Sequence, residues 1–159
     1  MIRITDQYFW NFVFGLFFLL LAVMGAIILE TETRIPFAEL SVVDFTLIAL
    51  ATWRVIQLFV YDNITKFIRE QFYDVKKVGK GFSLVKPVTG PRRTLADLFS
   101  CPWCFGVWAA ASVTFFYLLF PIFQFFAIFL AISSVATFLQ LLTNMIGWQA
   151  EKLKGEVEG

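Results

Sequence analysis

The residues best suited to chemistry are Cys101 and Cys104, separated by Pro102 and Trp103. They are the only two cysteines in 159 residues, and the chain has no histidine. Proline fits the first turn of a helix, where its missing N–H costs nothing. Cys101 then falls at or near a helix N-cap, where the dipole and free N–H groups favour a thiolate. Three uses of this pair compete. The spacing is that of thiol–disulfide exchange sites. Two thiolates are also half of the four ligands that structural zinc takes, the others coming from a second subunit or from a carboxylate such as Asp97. Or the two small apolar side chains simply pack against neighbouring helices. Zinc at Cys101 and Cys104, shared between subunits, is the one cofactor expectation. A thiol oxidase usually needs a second cysteine pair to pass electrons onward, and a cytoplasmic position disfavours a permanent disulfide.

The second feature is Arg54, set in the apolar run from Val42 to Tyr61. A charge within a span costs about 2.5–3.5 kcal/mol on insertion scales, so it normally faces protein or water and has a partner. Helical side chains lean toward the helix N-terminus, which makes escape to the near interface awkward. Ser133, Thr137, Gln140 and Asn144 lie on one stripe of a later apolar segment, at matching depth. Arg54 is therefore expected to pack against that stripe, either as a buried polar lock or as the lining of a small polar site.

The elements that must position these residues follow from composition. Hydrophobic residues make up 59% of the chain and charged residues 16%, with 21 Phe. The mean hydropathy is +0.76. Soluble domains carry about a quarter charged residues. Four apolar segments, about 8–29, 42–61, 102–120 and 125–148, are long enough to span a bilayer. The first has the length of a retained membrane helix rather than of a signal peptide. The third and fourth, separated by Pro121, form an antiparallel hairpin, or a re-entrant pair. The expected fold is all-α: a single polytopic membrane domain over residues 1–159, in contact with the lipid bilayer.

Loop charges orient it. Residues 62–100 hold eight Lys and Arg, whereas Glu30 to Ser41 holds only Arg34. The basic loop is expected in the cytoplasm, and with it both termini of a multi-pass cell-membrane protein. Within that loop Ile64, Phe67, Ile68, Phe72 and Val75 recur at helical spacing. This predicts an amphipathic surface helix, ended by Gly79 and Gly81, whose basic face is worth about 1 kcal/mol per Lys or Arg near anionic lipid. Thr94 and Asp97 have capping-box spacing for a short helix over Leu95 to Phe99. Gly106, Ala110 and Thr114 give the third segment a small-residue face, for internal packing or for a dimer.

Two stretches carry a resemblance. One is Ala51-Thr-Trp-Arg54-Val-Ile-Gln-Leu58-Phe-Val-Tyr-Asp62-Asn-Ile64-Thr65 with Ile68-Arg69-Glu70. The other is Leu95-Ala-Asp97-Leu-Phe-Ser-Cys101-Pro102-Trp103-Cys104-Phe-Gly106-Val-Trp108. Together they resemble the domain-of-unknown-function 1360 family of bacterial and phage membrane proteins, which has a sporulation-associated member. By that resemblance Arg54, Asp62, Arg69, Cys101, Pro102, Cys104, Gly106 and Trp108 occupy the family's motif positions. It implies a membrane location and no activity. The loop from Lys76 to Gly90 is longer than the family pattern implies.

No phosphate-binding glycine loop, nucleophile elbow or paired-carboxylate site is present, and no catalytic residue is assigned. The aromatic positions of the basic loop are committed to the membrane, which argues against nucleic acid. The expected function is therefore non-enzymatic. It is partner binding or assembly scaffolding, as a homo-oligomer or within a membrane complex, through the face around Asp62, Arg69, Asp97, Cys101 and Cys104. The alternatives are a membrane thiol–disulfide oxidoreductase, and a small transporter or channel subunit with a polar site at Arg54.

Overall fold

A computed structural model describes residues 6–32, 39–78 and 81–158. Six α-helices appear in order among them: α1 (Asp6–Glu32), α2 (Val42–Ile56), α3 (Lys66–Glu70), α4 (Pro91–Ser100), α5 (Pro102–Leu119) and α6 (Pro121–Glu158). Four stretches are long and apolar enough to cross a membrane: α1, α2 with the turn that follows it, α5 and α6. The protein is an all-α polytopic membrane protein.

Three of the long helices, α2, α5 and α6, start from a local signal. Ser41 caps α2 through a capping box: its hydroxyl accepts from the Asp44 backbone N–H at 3.2 Å, and its own N–H donates to the Asp44 carboxylate at 3.0 Å. Pro102 and Pro121 each open a helix, and Pro121 ends the connection after α5. Tyr117, near the end of α5, donates its hydroxyl to Asp44 at 2.6 Å, tying the far ends of α5 and α2 together. Beside this bond the core cluster gathers Leu29, Ile48, Ala51, Leu118 and Ala127. Small residues at that centre let helix backbones approach closely.

α2 and α6 share the largest helix–helix interface. They run parallel, with Ile48, Ala51 and Ala127 in one core cluster and the rings of Trp53 and Phe138 meeting at 5.9 Å. α1 is held more lightly, by Phe18 against Trp108 of α5 at 4.8 Å and by a polar clasp to α4. In that clasp Gln7 donates to Thr94 at 2.9 Å and Thr94 donates to Asn11 at 3.1 Å.

The loop between the second and third spans departs from the single amphipathic helix expected there. α3 is five residues long, and the chain then forms an antiparallel hairpin, β1 (Asp74–Val78) with β2 (Gly81–Val85). Val75, expected on the helix, lies in β1, and Gly79 lies outside the described residues. The physical reason is tertiary. Arg92 of α4 donates to the Asp74 carboxylate at 3.0 Å and to the carbonyls of Gln71 and Tyr73, pinning the chain where a longer helix would continue. The amphipathic helix of this loop is α4. It begins one turn before the expected Leu95, after Gly90 in the left-handed region (φ 103°) and Pro91. Thr94 accordingly sits inside α4 rather than at its cap, and serves the clasp to α1. The Arg34 segment lies outside the described residues.

Candidate functional site

The site builds up where α2 ends. After Ile56 the chain widens into a π-helical turn, Gln57–Tyr61, and leaves it at Asp62 in an extended conformation. A π turn disturbs the ordinary i→i−4 ladder, and the carbonyls it frees need donors. Arg69 of α3 supplies them, its guanidinium donating to the carbonyls of Val60 and of Asp62, the latter at 3.0 Å. Thr65 donates its hydroxyl to the Leu58 carbonyl. The Asp62 carboxylate is left to receive Arg54 at 3.3 Å.

The expectation that Arg54 packs against the polar stripe of α6 is therefore corrected. Its partner is Asp62, and its side chain is 17% exposed. The reason is the irregular turn, which folds an anionic partner back within reach; a charge-assisted bond outcompetes a neutral amide. On α6 the buried hydroxyl is Ser134, not Ser133. Thr137 bonds back to the Ser133 carbonyl at 2.8 Å, and Gln140 donates to Asn144 at 3.1 Å on an exposed flank.

Cys101 caps α5. Its sulfur accepts from the Cys104 backbone N–H at 3.3 Å and from the Cys104 thiol at 2.7 Å. Those contacts, with the positive charge of Lys86 nearby, hold the Cys101 thiol below its ordinary range. Cys104 is exposed, and Trp103 between them is 86% exposed. Below the pair, Phe59, Phe72, Phe99 and Phe105 form an aromatic cluster, with Phe99 5.4 Å from Phe72 and 5.2 Å from Phe105. This cluster anchors α4 and the start of α5 to the turn after α2.

Asp97 does not reach the thiols as a ligand. Its carboxylate takes Lys86 at 2.8 Å and Arg93 at 2.8 Å. Partial burial pushes its carboxyl pKa up, but those two hydrogen bonds and charges outweigh this and hold it below the usual carboxylate range. Among the described residues no group of three His, Cys, Asp or Glu comes together. Tetrahedral zinc at about 2.3 Å from each sulfur sets two thiolates about 3.8 Å apart, so the pair would have to open to take an ion.

The remaining motif residues are joints. A Cβ on Gly106 would stand 3.3 Å from Ile56 Cδ1, so its glycine lets α5 lie close against α2. Trp108 packs between Phe17 and Phe18 of α1. Arg54, Asp62, Arg69, Gly106 and Trp108 are thus spent inside the molecule, and Cys101, Pro102 and Cys104 flank the accessible tip. Two participants were not singled out from the sequence: Trp103, whose position between the cysteines was the available signal, and Lys86, which had none.

Four helices of membrane-spanning length define a polytopic membrane protein. Residues 47–143 match the family described as "Protein of unknown function (DUF1360)", and the chain belongs to that family. It is similar to UPF0713 protein YngL of Bacillus subtilis (strain 168), 34% identical over 83 residues, which are 52% of this chain and 64% of that protein. It is also similar to Sporulation protein YjcA of the same organism, 29% identical over 104 residues, 62% of this chain and 88% of that protein. The match thus spans somewhat less than two thirds of YngL's length. No solved structure matches the chain.

Proposed function

We propose that this protein is a non-enzymatic partner-binding or assembly protein of the cell membrane, working through the tip formed by Cys101, Trp103 and Cys104. The observation that carries this reading is the division of labour among the motif residues. Most are consumed in internal contacts, while an 86%-exposed tryptophan stands between two thiols at the end of the bundle. Tryptophan is enriched where interfaces concentrate their binding energy. The Lys and Arg count of residues 62–100 favours a cytoplasmic tip, with both termini on the same side.

The test places a photo-crosslinking amino acid at position 103 of the full chain in bacterial membranes, with position 61 as control. Discrete adducts at 103 that disappear in a Cys101→Ser, Cys104→Ser background support the reading. A position 103 that yields no adduct, or adducts indifferent to the cysteines, overturns it.

A second reading is favoured by the 2.7 Å separation of the two sulfurs. In it the Cys101 thiolate attacks a disulfide of a partner protein and expels one partner thiolate, leaving a mixed disulfide. Cys104, giving up its proton, then attacks the Cys101 sulfur and expels the second. Two thiols become one disulfide here, and the partner disulfide becomes two thiols. A Cys104→Ser variant that traps a mixed disulfide supports this exchange; thiols that stay reduced under oxidant challenge exclude it. The same protein, gently solubilised, also answers for zinc. About half an ion per chain, lost in the double cysteine variant, marks a four-thiolate site between two copies.

A further inference from the structure

The β1–β2 hairpin is amphipathic, and its polar face is the one turned toward the bundle. In the antiparallel register Val75 stands opposite Leu84 and Lys77 opposite Phe82 on one face, while Asp74, Lys76, Ser83 and Val85 share the other. Asp74 meets Arg92 of α4 at 3.0 Å, so the second face looks to the protein. On the first face Val75 is 64% exposed, Phe82 79% and Leu84 45%. Antiparallel sheets commonly do the reverse and pack the apolar face on their own core. A lone two-stranded hairpin is marginally stable in water, so an uncovered apolar face calls for a cover from outside the chain.

Charge narrows what the cover is. Residues 62–100 contain four carboxylates, and each already holds a cation: Asp62 has Arg54, Glu70 has Lys66, Asp74 has Arg92, and Asp97 has Lys86 and Arg93. Lys76 and Lys77 are exposed and, among the described residues, enter no ion pair. The charge left over at the hairpin is positive, and its complement is anionic.

Reach narrows it further. Tyr73, just before β1, holds its hydroxyl 3.2 Å from the Ser100 hydroxyl, beside the Cys101 cap of the third span. At about 3.4 Å per residue, Lys77 lies no more than about 14 Å along the chain from Tyr73. Whichever way the hairpin leans, that is within a headgroup layer and one screening length of the span boundary.

We infer that the hairpin lies on the anionic lipid surface of the membrane that the protein spans. Val75, Phe82 and Leu84 enter the headgroup layer. Lys77, on the same face, lifts its ammonium to the lipid phosphates along its own stem, and Lys76 adds its charge from the other face. A lipid surface supplies an apolar layer and negative charge together, which is the combination this face lacks. The inference goes beyond the proposed function and does not depend on the Cys101–Trp103–Cys104 tip.

The experiment uses the full chain with Cys101→Ser and Cys104→Ser, in nanodiscs of phosphatidylcholine alone or mixed with phosphatidylglycerol. One new cysteine at a time, at position 75, 82, 83 or 84, carries a fluorophore. Quenching is read from a spin label on the lipid headgroup and from iodide in the water. In the mixed lipid, positions 75, 82 and 84 are expected to be quenched by the lipid label and position 83 by iodide. Lys76→Gln with Lys77→Gln is expected to lower the ratio of docked to free hairpin, read at position 84, on the order of tenfold. Iodide reaching 75, 82 and 84 as readily as 83 overturns the inference. So does shielding of those positions from both quenchers, which marks a protein cover, and so does lipid quenching indifferent to phosphatidylglycerol. Should the glutamine variant disturb the hairpin, high salt applied to the unaltered lysines must weaken the lipid quenching at 84; if it does not, the inference fails.

Discussion

The guanidinium of Arg54 stands 3.3 Å from the carboxylate of Asp62, eight residues later in the sequence and on the far side of a π turn. A regular helix would carry those residues about 12 Å apart along its axis. The irregular turn closes that gap, and Arg69 and Thr65 pay for the irregularity by satisfying its carbonyls. Four polar residues thus form one device that ends the second span.

That device predicts non-additive stability. Asp62→Leu leaves Arg54 half-buried without its carboxylate and should cost about 1–2 kcal/mol, discounted because Asp62 is partly exposed. Arg54→Leu with Asp62→Leu should cost less than the Asp62→Leu change alone. Unfolding midpoints of all three variants in detergent check this; simple additivity would contradict the pairing.

Arg69 acts through fixed donors aimed at several carbonyls. Arg69→Ala should lose about 2 kcal/mol and speed amide exchange across residues 57–62. Arg69→Lys should recover only part of this, since an ammonium is a point donor rather than a fork. Hydrogen exchange resolved to that segment is the measurement.

Gly106 and Ile56 meet where α5 crosses α2. Gly106→Val overpacks that contact and should destabilise by about 1–3 kcal/mol. Adding Ile56→Ala should return part of the loss by opening space. A thermal melt in which Ile56→Ala brings no relief would place the strain elsewhere.

The thiol of Cys101 is held below its ordinary range first by the Cys104 thiol and then by the Cys104 N–H. Its alkylation rate should therefore climb at lower pH than that of a free cysteine. Cys104→Ala removes one donor and should move the profile to higher pH; Lys86→Ala should move it in the same direction by less. Rates of iodoacetamide labelling against pH give the answer.

Asp97 is likewise held below its ordinary range, by Lys86 and Arg93. Its folded carboxyl is depressed, so the stability it contributes is present above the unfolded value and is lost as pH falls through the folded one. The clasp of Lys86 and Arg93 should be intact at neutral pH and released in acid below the ordinary aspartate value of 3.8. The effect should stay within about 1 kcal/mol, because these groups are substantially exposed. Protease sensitivity of the hairpin, compared with Asp97→Asn, which should be sensitive at every pH, is a direct readout.

Composition and run length alone determined that this chain is a membrane protein with four candidate spans, because apolar length against bilayer thickness is a one-dimensional property. Local chemistry also placed Cys101 at a helix start, since a following proline acts within one turn. Partner choice was beyond that reach. Periodicity grouped Thr137, Gln140 and Asn144 on one stripe but carried no information on which way the stripe faces, and in an apolar helix no hydrophobic contrast marks the buried side. Nothing local announced the π turn that hands Asp62 to Arg54, or the Arg92 contacts that fold the loop into a hairpin instead of a longer helix. Those outcomes depend on groups 8 to 21 residues apart competing for the same backbone carbonyls and charges, and only the packed molecule settles such a competition.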